Sequence, residues 1–327
     1  MIVVRTPFRI SFVGGGTDLP YFFEQHGGCV LSMAMAKYSY LSMHSGFHDT
    51  GYLIKYSKTE NPKQVADIEH PIIREVFQMY GIDGVDFASA ADIPAGTGLA
   101  SSSAFTCGIL RLCDAYTGQT RSQLDIAEAA CDVEINRLGE PIGKQDQYGC
   151  ALPGLKKIEF NTDGSVLASP VLLNDAKRKR LEDSLLLVYC GGSRSASKQL
   201  LSQKNNIASS DQLTANLKQM AQQAHDLSLD LLRDPDCLGD YLHDGWERKK
   251  SLSQGISSPE IDDLYDRARA AGARGGKLLG AGGAGFLLLH APDRCAEVTA
   301  ALAGQKIDRV RMDETGTTVV HDDQTSR

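Results

Sequence analysis

The sequence predicts a two-domain chain of mixed strands and helices, on three observations. Its 327 residues suffice for one large or two ordinary domains with real cores. In the first half, strand-like runs at 2–13, 29–43, 52–57 and 85–91 are interleaved with helical patterns. After about residue 183 the composition changes, and a buried strand, LLLVYCGG, leads into a polar-rich helical stretch from 196 to about 272. The boundary falls between 160 and 185, giving units of 1–170 and 171–327.

Composition narrows the function. A hydrophobic content of 42% and a charged content of 23% are ordinary for a globular protein. A net charge of −7 argues against a nucleic-acid binder, which carries a basic footprint. No apolar run approaches the ~20 residues of a membrane span, and MIVVRTPFRISF lacks the layout of a signal peptide. The eight cysteines are scattered without a CxxC, which reads as buried reduced thiols in a cytoplasmic protein.

Taken in order, residues 2–13 form a strand broken at Pro7. Gly14, Gly15 and Gly16 follow as an open loop where backbone can approach a ligand. Asp18 either caps a short helix, Leu19–Gln25, or faces that ligand; the residues alone favour the cap. The runs at 29–43 and 52–57 read as a meander, with His44 and His48 as solvated turn residues. Pro71–Tyr80 is a short helix opened by its proline.

The strand at 85–91 runs into DIPAGTGLASSSAFTCGILRLCDAYT, residues 92–117, around which the chain is organised. Pro94 ends the strand, and Ala95, Gly96, Thr97 and Gly98 turn. Ser101, Ser102 and Ser103 then stand at the mouth of a helix apolar on most sides, hence buried. Free N–H groups, close-approach glycines and serine oxygens suit a triphosphate with its Mg²⁺. A plain strand–turn–helix corner with a serine N-cap fits the same residues.

Ser122 and Asp125 form a capping box for a helix to Leu138, stopped by Gly139. Glu134 lies on it with neither face assigned. GEPIGKQDQYGCALPG, 139–154, reads as a loop presenting Lys144, Asp146 and Tyr148. Arg194 and Lys198 stand at a glycine-preceded helix start, a place for a second anion or for a simply capped helix. GGKLLGAGGAGFLLLHA, 275–291, is a further glycine-rich loop entering a strand. A helix at 292–303 and a strand at 307–312 close the chain, with 321–327 as a frayed tail.

Three glycine loops and two acidic candidates in an acidic chain point to phosphoryl transfer, although GxxxxGK[ST] and the protein-kinase motifs are absent. Together the residues resemble the GHMP kinases, the superfamily of galactose, homoserine, mevalonate and phosphomevalonate kinases. Pro94–Ala104, PAGTGLASSSA, resembles the family's ATP loop, with Ala100 where glycine is common and Ser103 where alanine is common. Thr6–Asp18 resembles its N-terminal substrate motif, and Lys277–Gly285 its C-terminal glycine motif. GGGTDLP and GKQDQY look most like the bacterial heptose 7-phosphate kinases.

The resemblance implies an α+β fold: a ribosomal-S5-domain-2-like N-terminal domain, then a ferredoxin-like C-terminal one. It implies ATP and Mg²⁺ as cofactors and a small sugar phosphate as acceptor, with no nucleic-acid or membrane partner; a homodimer is compatible. Pro94, Gly96, Thr97, Gly98, Leu99, Ala100, Ser101, Ser102 and Ser103 would hold ATP. Ser102 and Glu134 would hold Mg²⁺. Asp146 would be the catalytic aspartate, with Arg9 paired to it. Asp18 would take sugar hydroxyls, with Gly15, Gly16, Thr17, Lys144, Gly282 and Gly283 also on the substrate side. Arg194 and Lys198 would hold the substrate's own phosphate. A fucose or galactose kinase, or a sensor of sugar and ATP without catalysis, are the alternatives.

Overall fold

The structure, a computed structural model, describes residues 1–46, 51–192, 211–251, 255–280 and 282–323. The first sheet contains β1 (Ile2–Val13), β2 (Gly28–Ser45), β3 (Leu53–Lys55), β4 (Thr59–Glu60), β5 (Val85–Ala91), β6 (Leu155–Phe160) and β7 (Val166–Pro170). β2 is its spine. One edge pairs along β1, and the other pairs β6 with its first half and β5 with its second. Pro7 does not break β1: the strand is continuous, and the proline marks a register shift against β2 between Pro7 and Phe8.

The second sheet contains β8 (Leu185–Tyr189), β9 (Gly275–Leu278), β10 (Phe286–His290) and β11 (Lys306–Arg309) in the order β11-β8-β10-β9, with all neighbours antiparallel. A helical layer separates β8 from β9, and one helix separates β10 from β11. That β-α-β-β-α-β succession, with its first strand between the fourth and third, is the ferredoxin-like arrangement expected. The last strand, β12 (Thr318–Asp322), returns to the first sheet and pairs antiparallel with β1. His321 and Asp322 therefore belong to a strand and not to a frayed tail. We propose the two sheets as the two domains, divided near residue 170, with β12 handed back to the first.

The α-helices among the described residues are α1 (Pro20–His26), α2 (Pro71–Tyr80), α3 (Ser101–Thr117), α4 (Gln123–Cys131), α5 (Gln145–Ala151), α6 (Asp175–Asp183), α7 (Asp211–Asp230), α8 (Leu238–Lys250), α9 (Pro259–Ala270) and α10 (Cys295–Ala301). Three differ from expectation in ways that matter for the site. α1 is capped by Leu19, not by Asp18. α4 gives way at Asp132–Arg137 to a wider π-helical turn, with Leu138 N donating to Val133 O five residues back. The 139–154 loop contains α5, which puts Asp146 in a first helical turn.

Side-chain alternation on β1 links the halves to the cleft. Phe8, Ile10 and Phe12 point to one face, where they share a buried cluster with Leu185 and Leu187 of β8, Leu288 of β10 and Leu227 of α7. Arg9 and Ser11 point to the other. Among the described residues no helix is long and apolar enough to cross a membrane.

Candidate active site

A cleft of about 510 Å³ lies where β1, α3, α5 and the residues Leu279, Gly280, Gly282 and Ala284 meet. α3 is buried as its apolar faces require, and its first turn opens on this cleft through Ser101, Ser102 and Ser103. Its N-cap is Ala100, in the left-handed region at φ 63°, with no side-chain capping bond. The expected serine cap is therefore not formed. No backbone bond is made by the N–H groups of Ser101–Ser103 to other described residues, as geometry dictates for a first turn. Ser101 Oγ instead accepts from Gly96 N at 3.3 Å.

The π-helical turn aims Glu134 inward, where it is 1% exposed. Ser102 Oγ donates to Glu134 Oε1 at 2.6 Å. Ser103 Oγ and Gln147 Nε2 both donate to Oε2 at 2.7 Å. Burial raises the pKa of this carboxyl, and those three hydrogen bonds oppose the shift. Among the described residues no cation lies within ion-pair reach of it. A buried carboxylate that lacks a counter-charge, beside a hydroxyl on the cleft wall, is a donor set of the oxygen type that Mg²⁺ takes.

Asp146 faces the same cleft from α5. Arg9 Nε and Nη2 both donate to its Oδ1, at 3.0 and 2.7 Å, and Arg9 Nη1 donates to Gly98 O at 2.8 Å. Arg9 is 3% exposed. Gly149 makes room for it, since a Cβ there would lie 2.9 Å from Arg9 Cγ. One arginine thus ties the catalytic aspartate candidate to the ATP-loop candidate.

Asp18 lines the cleft beside Asp146. Gly16 N and Gln145 Nε2 donate to its Oδ1, and Gln145 N to Oδ2. Burial first, and then the charge of Asp146, raise its pKa to about 6. Gly143 is a glycine because a Cβ there would sit 2.0 Å from Asp18 Oδ2.

The glycines of the second and third motifs approach each other. A Cβ on Gly98 would lie 2.5 Å from Leu279 O, one on Gly280 2.4 Å from Gly98 Cα, and one on Gly285 2.2 Å from Thr97 O. The two loops therefore interlock by backbone contact.

Several expected residues stand behind the cleft and not in it. Lys144 Nζ donates to Gly164 O at 2.8 Å and lies over the Phe23 ring; its ammonium is turned away from the substrate side. Thr17 Oγ1 is spent on Gly14 O and Cys29 O. Thr97 Oγ1 donates to Pro94 O, Leu99 lies in the buried cluster, and Gly283 N donates to Ile256 O. These residues support the loops. Gly15, Gly16, Gly96, Gly98, Ala100 and Gly282 do line the cleft. Arg194 and Lys198 lie outside the described residues.

Two cations were missed. Lys249, on α8, donates to Leu278 O and Gly280 O, and Lys277, on β9, donates to Phe12 O. Both are buried, line the cleft, and have no carboxylate within ion-pair reach among the described residues. Burial, then repulsion from Arg9, lowers Lys249 to about 8. Burial, then Lys249 and Arg9, lowers Lys277 well below the usual lysine range. Lys277 was legible inside its glycine motif; Lys249 sits in a run, ERKK, that reads as a solvated helix end.

Residues 68–154 match the GHMP kinases N terminal domain, and residues 220–306 match the GHMP kinases C terminal. A D-glycero-alpha-D-manno-heptose 7-phosphate kinase from Campylobacter jejuni is 26% identical over 299 residues, 88% of each chain. The L-fucokinase/L-fucose-1-P guanylyltransferase of Bacteroides fragilis is 27% identical over 340 residues, 90% of this chain but only 35% of that protein. Among solved structures, a D-glycero-D-manno-heptose 1-phosphate kinase from Bacteroides thetaiotaomicron is similar with a TM-score of 0.80 at 22% identity, covering 98% of this chain and 99% of that one. At that identity the likeness bears on the fold, which it shares. With both family domains in order and the two acidic sites on one cleft, this chain belongs to the GHMP kinase family and is a phosphotransferase with an alcohol group as acceptor.

Proposed function

We propose that this chain is an ATP-dependent sugar kinase. It would transfer the γ-phosphoryl group to the anomeric hydroxyl of D-glycero-D-manno-heptose 7-phosphate, giving the 1,7-bisphosphate. One observation supports this above the rest: the Ser102–Glu134 pair and the Arg9–Asp146 pair open into a single cleft. The heptose comes from the name of the Campylobacter relative, similar along 88% of its length.

The residues divide the work. N–H groups at the mouth of α3, with Gly96 and Gly98 in the preceding turn, receive the nucleotide's phosphate oxygens. Ser102 and Glu134 hold Mg²⁺, which when bound offsets charge on the phosphates and the leaving oxygen. Asp146 orients the acceptor hydroxyl and takes its proton. Arg9 occupies only Oδ1, which leaves Oδ2 without a partner among the described residues and available to that hydroxyl. An anomeric hydroxyl is more acidic than an ordinary alcohol, so a carboxylate is a sufficient base. Lys249, lowered only to about 8, supplies positive charge to a cleft that must receive anions in a chain of net charge −7.

A second reading, an L-fucose kinase, is favoured by the Bacteroides fragilis protein at similar identity. A sugar panel read by ADP release separates the two. The heptose 7-phosphate is expected to give the highest kcat/KM, and preference for L-fucose would overturn the substrate. Asp146→Asn is expected to lower kcat by about 10²–10³ while ATP still binds by calorimetric titration. Wild-type turnover in that variant would remove Asp146 from the chemistry.

A further inference from the structure

Gly15 stands on the cleft wall as a glycine that the protein itself does not need. Gly14 and Gly16 have left-handed backbone, at φ 88° and 100°, and a Cβ on Gly14 would strike Cys29 O at 2.0 Å. Gly15 has neither constraint. Its backbone is not left-handed, and among the described residues a Cβ built on it would make only ordinary contacts: 3.5 Å from Ser11 Oγ, and 3.6 and 3.7 Å from the Gln145 amide atoms. The space is open towards the cleft.

The walls of that space are polar and incompletely satisfied. Among the described residues, Ser11 Oγ and Gln145 Oε1 are both buried without a hydrogen-bond partner. The orientation of Gln145 follows from its other atom, since Nε2 donates to Asp18 Oδ1 at 2.9 Å and leaves Oε1 as an acceptor. Buried polar atoms without partners are costly and uncommon in native structures. With Asp18 adjacent, the surroundings suit a hydroxyl donor and oppose a phosphate.

We propose that the volume above Gly15 is occupied by a hydroxyl-bearing part of the acceptor, and that Ser11, Gly15 and Gln145 thereby set which acceptor fits. This rests on the sugar-kinase reading and deepens it. The side chain missing at residue 15 is the acceptor's room, and the two orphaned oxygens beside it are reached by the acceptor's hydroxyls through small rotations of Ser11 and Gln145.

The experiment compares wild type, Gly15→Ala, Gly15→Val and Ser11→Ala on the best acceptor of a panel of heptose 7-phosphate, L-fucose and D-galactose. Acceptor kcat/KM is expected to fall in proportion to added volume, about 10-fold for alanine and about 100-fold for valine, through KM. Ser11→Ala is expected to raise acceptor KM about 10-fold. ATP affinity and thermal melting stay at wild-type values. An acceptor KM indifferent to side-chain size at residue 15, or a loss that appears equally in ATP affinity, overturns the assignment. If a sugar other than the heptose wins the panel, the proposed substrate falls while the graded loss still decides this subsite. If wild type turns over no sugar, both readings fall.

Discussion

Ala100 carries a cost that its neighbours do not. It holds left-handed backbone at φ 63° where the chain turns into α3, a conformation that L side chains adopt at a penalty of about 1–2 kcal/mol. The family's common glycine at this position is explained by that angle. Ala100→Gly is expected to stabilise the protein by about 1 kcal/mol, read as a shift of the urea midpoint with unchanged slope. Asp18 gives a second prediction. Its pKa rises from 3.8 to about 6 on folding, so between those values the folded chain holds a proton that the unfolded chain has released. Stability from this group is therefore lost as pH rises from about 4 to 6, and the penalty, about 3 kcal/mol, is complete above 6. Denaturation at a series of pH values should show that slope, and Asp18→Asn should flatten it. Arg9, Asp146 and Ser102 were legible as residues because their motifs are contiguous. Lys249 was not, because its partners are carbonyls from a loop some thirty positions away.

At the scale of elements, the interlocked loops make the strongest demand. Gly280 and Gly98 touch backbone to backbone, so Gly280→Ala must push the two loops apart. The expected result is a loss of roughly 2 kcal/mol of stability together with weaker ATP binding, measured by denaturation and titration on the same preparation. An alanine that left both unchanged would show that the loops do not support one another. Glycine-rich motifs announced these loops in the sequence, but as ligand cradles. That half of their glycines serve contact between the loops depends on a pairing 180 residues apart, and no local pattern carries it. The same limit hid α5, whose Gly149 weakens the helical pattern for the sake of Arg9, and the widened turn at Glu134, since a π-helix keeps the composition of an α-helix.

For the whole molecule, the return of β12 matters most. Without it, Ile2–Arg5 of β1 would present an open edge, a template for pairing with other chains. Truncation before Thr318 is therefore expected to give concentration-dependent aggregation in light scattering at temperatures where the intact chain stays clear. The order of elements told the two sheets apart; the crossing of β12 between them had no local sign beyond a short alternating run near the end. The cluster under β1 has a further consequence. Phe8, Ile10 and Phe12 are wholly buried among leucines from the other sheet, on the reverse of the strand that presents Arg9. Swinging the halves apart like a clamshell would wet that seam, so nucleotide and acceptor must enter by movements of the rim, and small-angle scattering should return one radius of gyration with the ligands or without them.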